Sequence, residues 1–305
     1  MIAGSMADRL LRSREVDTPS EPIMTSTRHW PSVMSACLFR TEERGKAKSF
    51  RLGGLGRPIR NGPITMLIGF RAGGVADTQA RLIAEEIEER HGWKIIPDQK
   101  TGRGGSVLAA ALKNEPADGT AIGIVVTESL GYNMVATTSA GYEQSDFTPL
   151  TATAGFQMGI VALASRGWST FDDMAESARA GEQIRFGAMS PKLADLAYKL
   201  GKASGIEFNI VMKQGGKGVM DGLYAGDLDI GLAPASKTGA VLAADMVNLA
   251  SGLSEKLIVS PNAPTMSELG VHFTADGYFP FLAPAGIPEE AREALSGAIA
   301  SGFIE

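Results

Sequence analysis

Between Ile64 and Ser106 the chain runs ITMLIGFRAGGVADTQARLIAEEIEERHGWKIIPDQKTGRGGS, and few architectures accept that order of elements. Ile64 to Phe70 is a short apolar run of the kind that forms a buried strand, and it stops at Arg71-Ala72-Gly73-Gly74. Two adjacent glycines let the backbone turn sharply and approach whatever lies above the strand end. Asp77 or Thr78 can then cap a helix whose apolar positions, Ala80, Ile83, Ala84 and Ile87, share one face up to His91-Gly92. Lys94 to Pro97 makes a second strand, and Thr101-Gly102-Arg103-Gly104-Gly105-Ser106 opens a second helix, Val107 to Lys113. Each glycine turn leads into a helix N-terminus, where unpaired N–H groups and the positive dipole end favour an anion. A carboxylate or phosphate suits such chemistry.

The same pattern continues along the chain. Ala121 to Thr127 reads as a strand, with Thr127, Glu128 and Ser129 at its carboxyl end, the end that faces the ligand crevice in open α/β sheets. Phe147 to Ala154 and Gly159 to Ala164 read as strands that carry the chain into a second lobe. There, strands at Ile184 to Gly187, Phe208 to Met212 and Leu228 to Leu232 alternate with helices at Thr170 to Ala180, Lys192 to Ser204, Val219 to Ala225 and Lys237 to Ala244. Asp172 and Asp173 stand in the first turn of one, where negative charge is favourable. A strand at Val247 to Ala250 follows, Tyr278 to Ala283 returns the chain to the first lobe, and Pro288 to Ile299 is a final helix. Alternating strands and helices imply α/β architecture with parallel sheet.

The run ITMLIGFRAGGVADTQARLIAE, the turn at Thr101 to Ser106 and the phrase Pro116-Ala117-Asp118-Gly119 resemble the Bug-type extracytoplasmic solute receptors, the substrate-binding component of tripartite tricarboxylate transporters. Further phrases agree in order: Asp146-Phe147-Thr148-Pro149, Phe186-Gly187-Ala188, Gln214-Gly215-Gly216-Lys217-Gly218, Ala225-Gly226-Asp227-Leu228-Asp229, the run from Ala263 to Gly270, and Leu282-Ala283-Pro284-Ala285-Gly286. The resemblance covers about residue 62 to the C-terminus. It implies a two-lobe α/β fold of the periplasmic-binding-protein type II class with a hinge between lobes. Residues 62–155 and 275–305 would form lobe one and 156–274 lobe two, with 1–61 a poorly structured leader outside the match. It also implies a small carboxylate ligand (a dicarboxylate, a tricarboxylate or an aromatic acid), membrane transporter subunits as partners, a periplasmic location and no cofactor.

Carried over position by position, the resemblance points to Phe70, Ala72, Gly73 and Asp77 at the first turn, Gly104, Gly105 and Ser106 at the second, and Ser190 and Gly215 from the other lobe. Gly74 and Gly216 join them as the second glycines of their turns, and Thr127 and Ser129 as strand-end residues. Asp77 is expected to brace the turn rather than touch an anionic ligand. Arg71 stands where the family usually has a small or apolar residue, and its guanidinium could pair a ligand carboxylate in fork geometry. The turn at Ala188-Met189-Ser190-Pro191 is shorter than the family's usual one. Two other readings remain open: a sensing protein that uses the same lobes to signal to a partner, and a degenerate copy without function.

Charge and composition narrow the alternatives. Residues 1–61 hold 11 Lys and Arg against 6 Asp and Glu, whereas the remainder holds 18 against 28, and an acidic body does not favour nucleic acid. Cys37 is the only cysteine, which excludes an intrachain disulfide or a multi-cysteine metal site. His29, His91 and His272 are scattered, without the spacing of metal ligands. No run of 18 apolar residues exists, so membrane insertion is not expected. Pro31 to Phe39 comes nearest to an export signal and is too short and too polar for one. Enzymatic motifs fail in detail. Gly102-x-Gly104 is followed at once by Gly105, with Val107 where a dinucleotide fingerprint needs its third glycine, and Gly216-Lys217-Gly218 lacks the hydroxyl of a phosphate-binding loop. No Gly-x-Ser-x-Gly elbow occurs.

Overall fold

The computed structural model describes residues 62–137, 140–155, 157–234 and 245–302. The leader with Cys37 and the helix expected over Lys237 to Ala244 lie outside the described residues. In chain order the elements are β1 (Ile64–Ile68), α1 (Val75–His91), β2 (Ile95–Gln99), α2 (Ser106–Leu112), β3 (Ala121–Ile124), α3 (Tyr132–Ala136), β4 (Phe147–Gly155), β5 (Met158–Leu163), α4 (Phe171–Arg179), β6 (Arg185–Ala188), α5 (Pro191–Ser204), β7 (Asn209–Met212), α6 (Gly215–Tyr224), β8 (Ile230–Pro234), β9 (Met246–Ser251), β10 (Tyr278–Pro284) and α7 (Glu289–Ser301).

Among the described residues ten strands form two five-stranded sheets, ordered β2-β1-β3-β10-β4 and β7-β6-β8-β5-β9. In each, the first three strands are parallel, as the alternation of strand and helix requires, but the sheet as a whole is mixed. β10 runs antiparallel to β3 and β4, and β5 runs antiparallel to β8 and β9. The parallel sheet expected from the alternation is present in both lobes, and these two strands are added to it: each enters its sheet from the other one, so it arrives without a crossover helix to set it parallel. The chain passes between sheets twice, from β4 to β5 and between β9 and β10.

β1 shows why its sequence is apolar throughout. Met66 and Ile68 pack on one face with Ala80, Ile83 and Ile87 of α1, while Leu67 packs on the other with Leu108 and Leu112 of α2. A strand covered on both faces needs no polar alternation. The second sheet repeats the plan. Val161 meets Val219, Met220 and Leu223 of α6 on one face, and Phe186, Ile230 and Leu232 lie in the cluster with Leu193, Leu196 and Leu200 of α5 on the other. Burying a leucine or phenylalanine side chain in this way contributes roughly 1.5–3 kcal/mol.

Helix boundaries follow local chemistry. Thr170 caps α4 and accepts from Asp173 N, while the Asp173 carboxylate accepts from Thr170 N, a reciprocal capping box. Ser190 caps α5, and Pro191 fills its first position. α1 departs from expectation: its N-cap is Gly74, not Asp77 or Thr78. Asp77 is the third helical residue, and its carboxylate reaches back to accept from Gly73 N at 2.9 Å. α6 likewise begins at Gly215, so most of the third glycine turn is already helix. The short helix α3 was not anticipated from the sequence pattern.

Candidate functional site

A cavity of about 430 Å³ opens between the two sheets, in the size range of small-molecule sites. Its walls come from the segments that follow β1 (Phe70, Arg71, Gly73 to Ala76), β3 (Val126, Glu128), β6 (Met189, Ser190) and β7 (Gln214 to Lys217), and from Pro234 in β8. These are the carboxyl ends of parallel strands in both sheets, where open α/β folds place ligands. Met158 and Phe279, on the two crossing strands, complete it with Thr78, Gln79 and Leu82 of α1. The lining is largely apolar, and its charged members are Arg71, Lys217 and Glu128.

The structure gathers part of the set named from the sequence. Phe70, Arg71, Gly73, Gly74, Gly104, Ser190, Gly215 and Gly216 line the cavity; Ala72, Asp77, Gly105, Ser106, Thr127 and Ser129 do not. The second group has other work. Asp77 is buried and accepts from Gly73 N, from Gln99 Nε2 at 2.9 Å and from Arg81 Nε at 3.0 Å. Burial opposes its charge, but the bonds from Arg81 and Gly73, the Arg81 charge and the Gln99 bond together hold its carboxyl below the ordinary range. Ser129 donates to Gly104 O at 2.7 Å, the Ser106 and Tyr142 hydroxyls pair at 3.0 Å, and Thr127 Oγ1 accepts from Tyr278 N at 3.3 Å. Gly105 serves packing rather than ligand approach: a Cβ there would lie 2.5 Å from Ser129 Oγ, on a backbone with φ +93°. Gly73, with φ +73° and open space around it, is required by the turn itself.

The backbone donors of the first turn are partly spent. Gly73 N–H goes to Asp77 and Gly74 N–H to Arg71 O at 3.1 Å. One step further on, the N–H groups of Val75 and Ala76 have no acceptor among the described residues, and both residues line the cavity at the start of a 17-residue helix. The Arg71 side chain is exposed and has no hydrogen bond or ion pair among the described residues. Lys217 pairs with Asp221 at 2.8 Å on the surface of α6.

Glu128, Met158, Met189, Gln214, Pro234 and Phe279 also line the site. Of these Glu128 was a candidate from its place at a strand end; the others come from loops, the crossing strands and the end of β8, which meet only in the folded chain. Contacts across the cavity hold the two sheets' segments together. Ser190 Oγ donates to Glu128 Oε2 at 2.7 Å, Lys192 Nζ donates to Asp276 O at 3.1 Å, and the Tyr132 hydroxyl donates to Asp195. Burial, then the bond and charge of Asp195, push the Tyr132 hydroxyl upward. Burial also raises the Glu128 carboxyl, against the Ser190 bond and the Lys192 charge. No cluster of three His, Cys, Asp or Glu side chains able to hold a metal ion occurs among the described residues, and no helix among them is long and apolar enough to cross a membrane.

Two mixed α/β sheets meeting over a cleft at their strand ends define a two-lobe solute-binding fold. An R. palustris protein solved with adipate superposes with a TM-score of 0.71 at 24% identity, over 79% of this chain and 83% of that one. MatC from Rhodopseudomonas palustris with bound malate gives 0.71 at 20%, over 80% and 85%. In sequence, BugT of Bordetella pertussis is 24% identical over 255 residues, 73% of this chain and 71% of its own. A protein encoded in the ttuE-ttuC' intergenic region of Agrobacterium vitis is 27% identical over 249 residues, 78% and 70%. The model of the tripartite tricarboxylate transporter family receptor matches residues 79–304, and the chain belongs to that family. The family comprises substrate-binding receptors, not enzymes.

Proposed function

We propose that the protein captures a small carboxylate between two lobes, 62–155 with 275–305 and 156–274, and delivers it in the periplasm to the membrane subunits of a tripartite tricarboxylate transporter. The observation that carries this reading is that Val75 and Ala76, whose N–H groups have no acceptor among the described residues, line the cavity together with Arg71, whose guanidinium has no partner among them. Charge-assisted bonds from such donors contribute roughly 1.5–3 kcal/mol each before desolvation is subtracted. Adipate and malate in the two R. palustris structures support the ligand class, and family membership supports the transporter partner and the location. The apolar lining favours a ligand with a hydrocarbon body over a small, fully oxygenated one.

A thermal-shift screen of the full chain against mono-, di- and tricarboxylates tests the assignment. A ligand at a hundredfold excess over its Kd stabilises the fold by about 2.7 kcal/mol. A carboxylate hit supports the receptor; a folded chain that responds to none of them refutes the reading.

A further inference from the structure

A carboxylate side chain is an unexpected lining for an anion site. Glu128 follows β3, in the 3₁₀ turn Thr127–Leu130, and is only 8% exposed, whereas Arg71 and Lys217 are exposed at the mouth. Among the described residues its carboxyl has one hydrogen bond, from Ser190 Oγ. Ser190 Oγ also accepts from Leu193 N at 3.3 Å as the cap of α5. An ionised carboxylate offers about four acceptor positions. Here one is used, and no cation lies within salt-bridge distance of Glu128 among the described residues. Lys192 acts on it only through space, with its ammonium donating to Asp276 O. Burial favours its neutral form, and a cationic group on a ligand can supply the partner that favours the charged one.

We propose that Glu128 determines the ligand class: the site takes a carboxylate with an apolar body and a cationic amino group, the carboxylate lying against Val75, Ala76 and Arg71 and the ammonium against Glu128. The inference rests on the receptor reading above and narrows it. Val126, Met158, Met189 and Phe279 supply the apolar surface for the body of such a zwitterion. A dicarboxylate of equal length brings no cation to Glu128.

Titration calorimetry of the full chain with 6-aminohexanoate, adipate and hexanoate, together with leucine and its deamino analogue 4-methylpentanoate, is the test. We expect at least one amino-bearing probe to bind tenfold or more tightly than both its unsubstituted analogue and adipate. In Glu128→Gln, which keeps an acceptor for Ser190, that preference collapses to less than threefold. Adipate equalling or outranking every amino-bearing probe in the wild type overturns the inference but leaves the receptor intact, as does a preference that survives Glu128→Gln. Binding of none of the carboxylates overturns the receptor reading and this inference with it. Should Glu128→Gln fail to fold, the wild-type ranking alone decides.

Discussion

Removing the carboxylate of Asp77 probes how the first turn is held. This side chain accepts three hydrogen bonds, from Gly73 N–H, Gln99 Nε2 and Arg81 Nε. Arg81 is half exposed, so water replaces Asp77 readily for that partner. Gly73 and Gln99 are exposed as well, so their two bonds to the charged acceptor count for roughly 1 kcal/mol each, about 2 kcal/mol for Asp77→Ala. In a chain of this size that corresponds to a fall in Tm of roughly 4–8 °C. The effect has a sign in pH. Because the folded-state value lies below the unfolded one, the stabilisation is present above the ordinary carboxylate range and is lost as pH falls through the folded value. Thermal melts of wild type and Asp77→Ala should therefore differ widely at pH 7 and converge in acid. A Tm difference under 2 °C at pH 7, or a gap that does not shrink on acidification, would refute the bracing role.

Two further outcomes follow. Arg71→Ala should weaken binding of the preferred carboxylate at least tenfold in calorimetry, about 1.4 kcal/mol, with the melting curve of the free protein unchanged because the side chain has no partner to lose; unchanged affinity would return Arg71 to the solvent. Asp229→Asn should cost about 2 kcal/mol at neutral pH in urea unfolding, since the buried carboxylate accepts from Arg185 N at 2.8 Å and from Nε and Nη2 of the same residue at 2.9 Å each. Burial opposes that charge but the Arg185 bonds, with the Arg185 and Arg166 charges, hold the carboxyl low, so the deficit should fade in acid; a deficit that is constant with pH would show that packing, not charge, is lost.

Residue order revealed most of the framework. Apolar runs placed all ten strands to within a few residues, and Thr170 and Ser190 announced the starts of α4 and α5 because a cap is a local event. The site was less legible, for a physical reason. Gly73, Gly74 and Gly105 read alike as turn glycines, yet which N–H is free and which glycine faces the cavity depends on Asp77 four residues away in one case and on Ser129, 24 residues away, in the other. Met158, Met189, Pro234 and Phe279 reach the cavity only because two sheets meet there. The burial of Glu128, which turns a strand-end residue into a candidate selector, is likewise set by Ser190 on the far side of the cleft. The antiparallel direction of β5 and β10 was not readable from the pattern, because a rule for successive strands of one sheet does not govern a strand that arrives from another.

The two passages between the sheets lie side by side. Gly155 at the end of β4 is registered against Tyr278 at the start of β10, Gly252 N donates to Met158 O at 2.8 Å, and Ala275 N donates to Gly252 O at 2.7 Å. A single strap would leave one lobe free to swivel as on a ball joint. Two straps laced edge to edge form a pin instead: folding about the line through them strains little, while twisting about the long axis pulls on the lacing. Any closure about that line brings the glycine turns and the residues opposite them across the cleft into the same register.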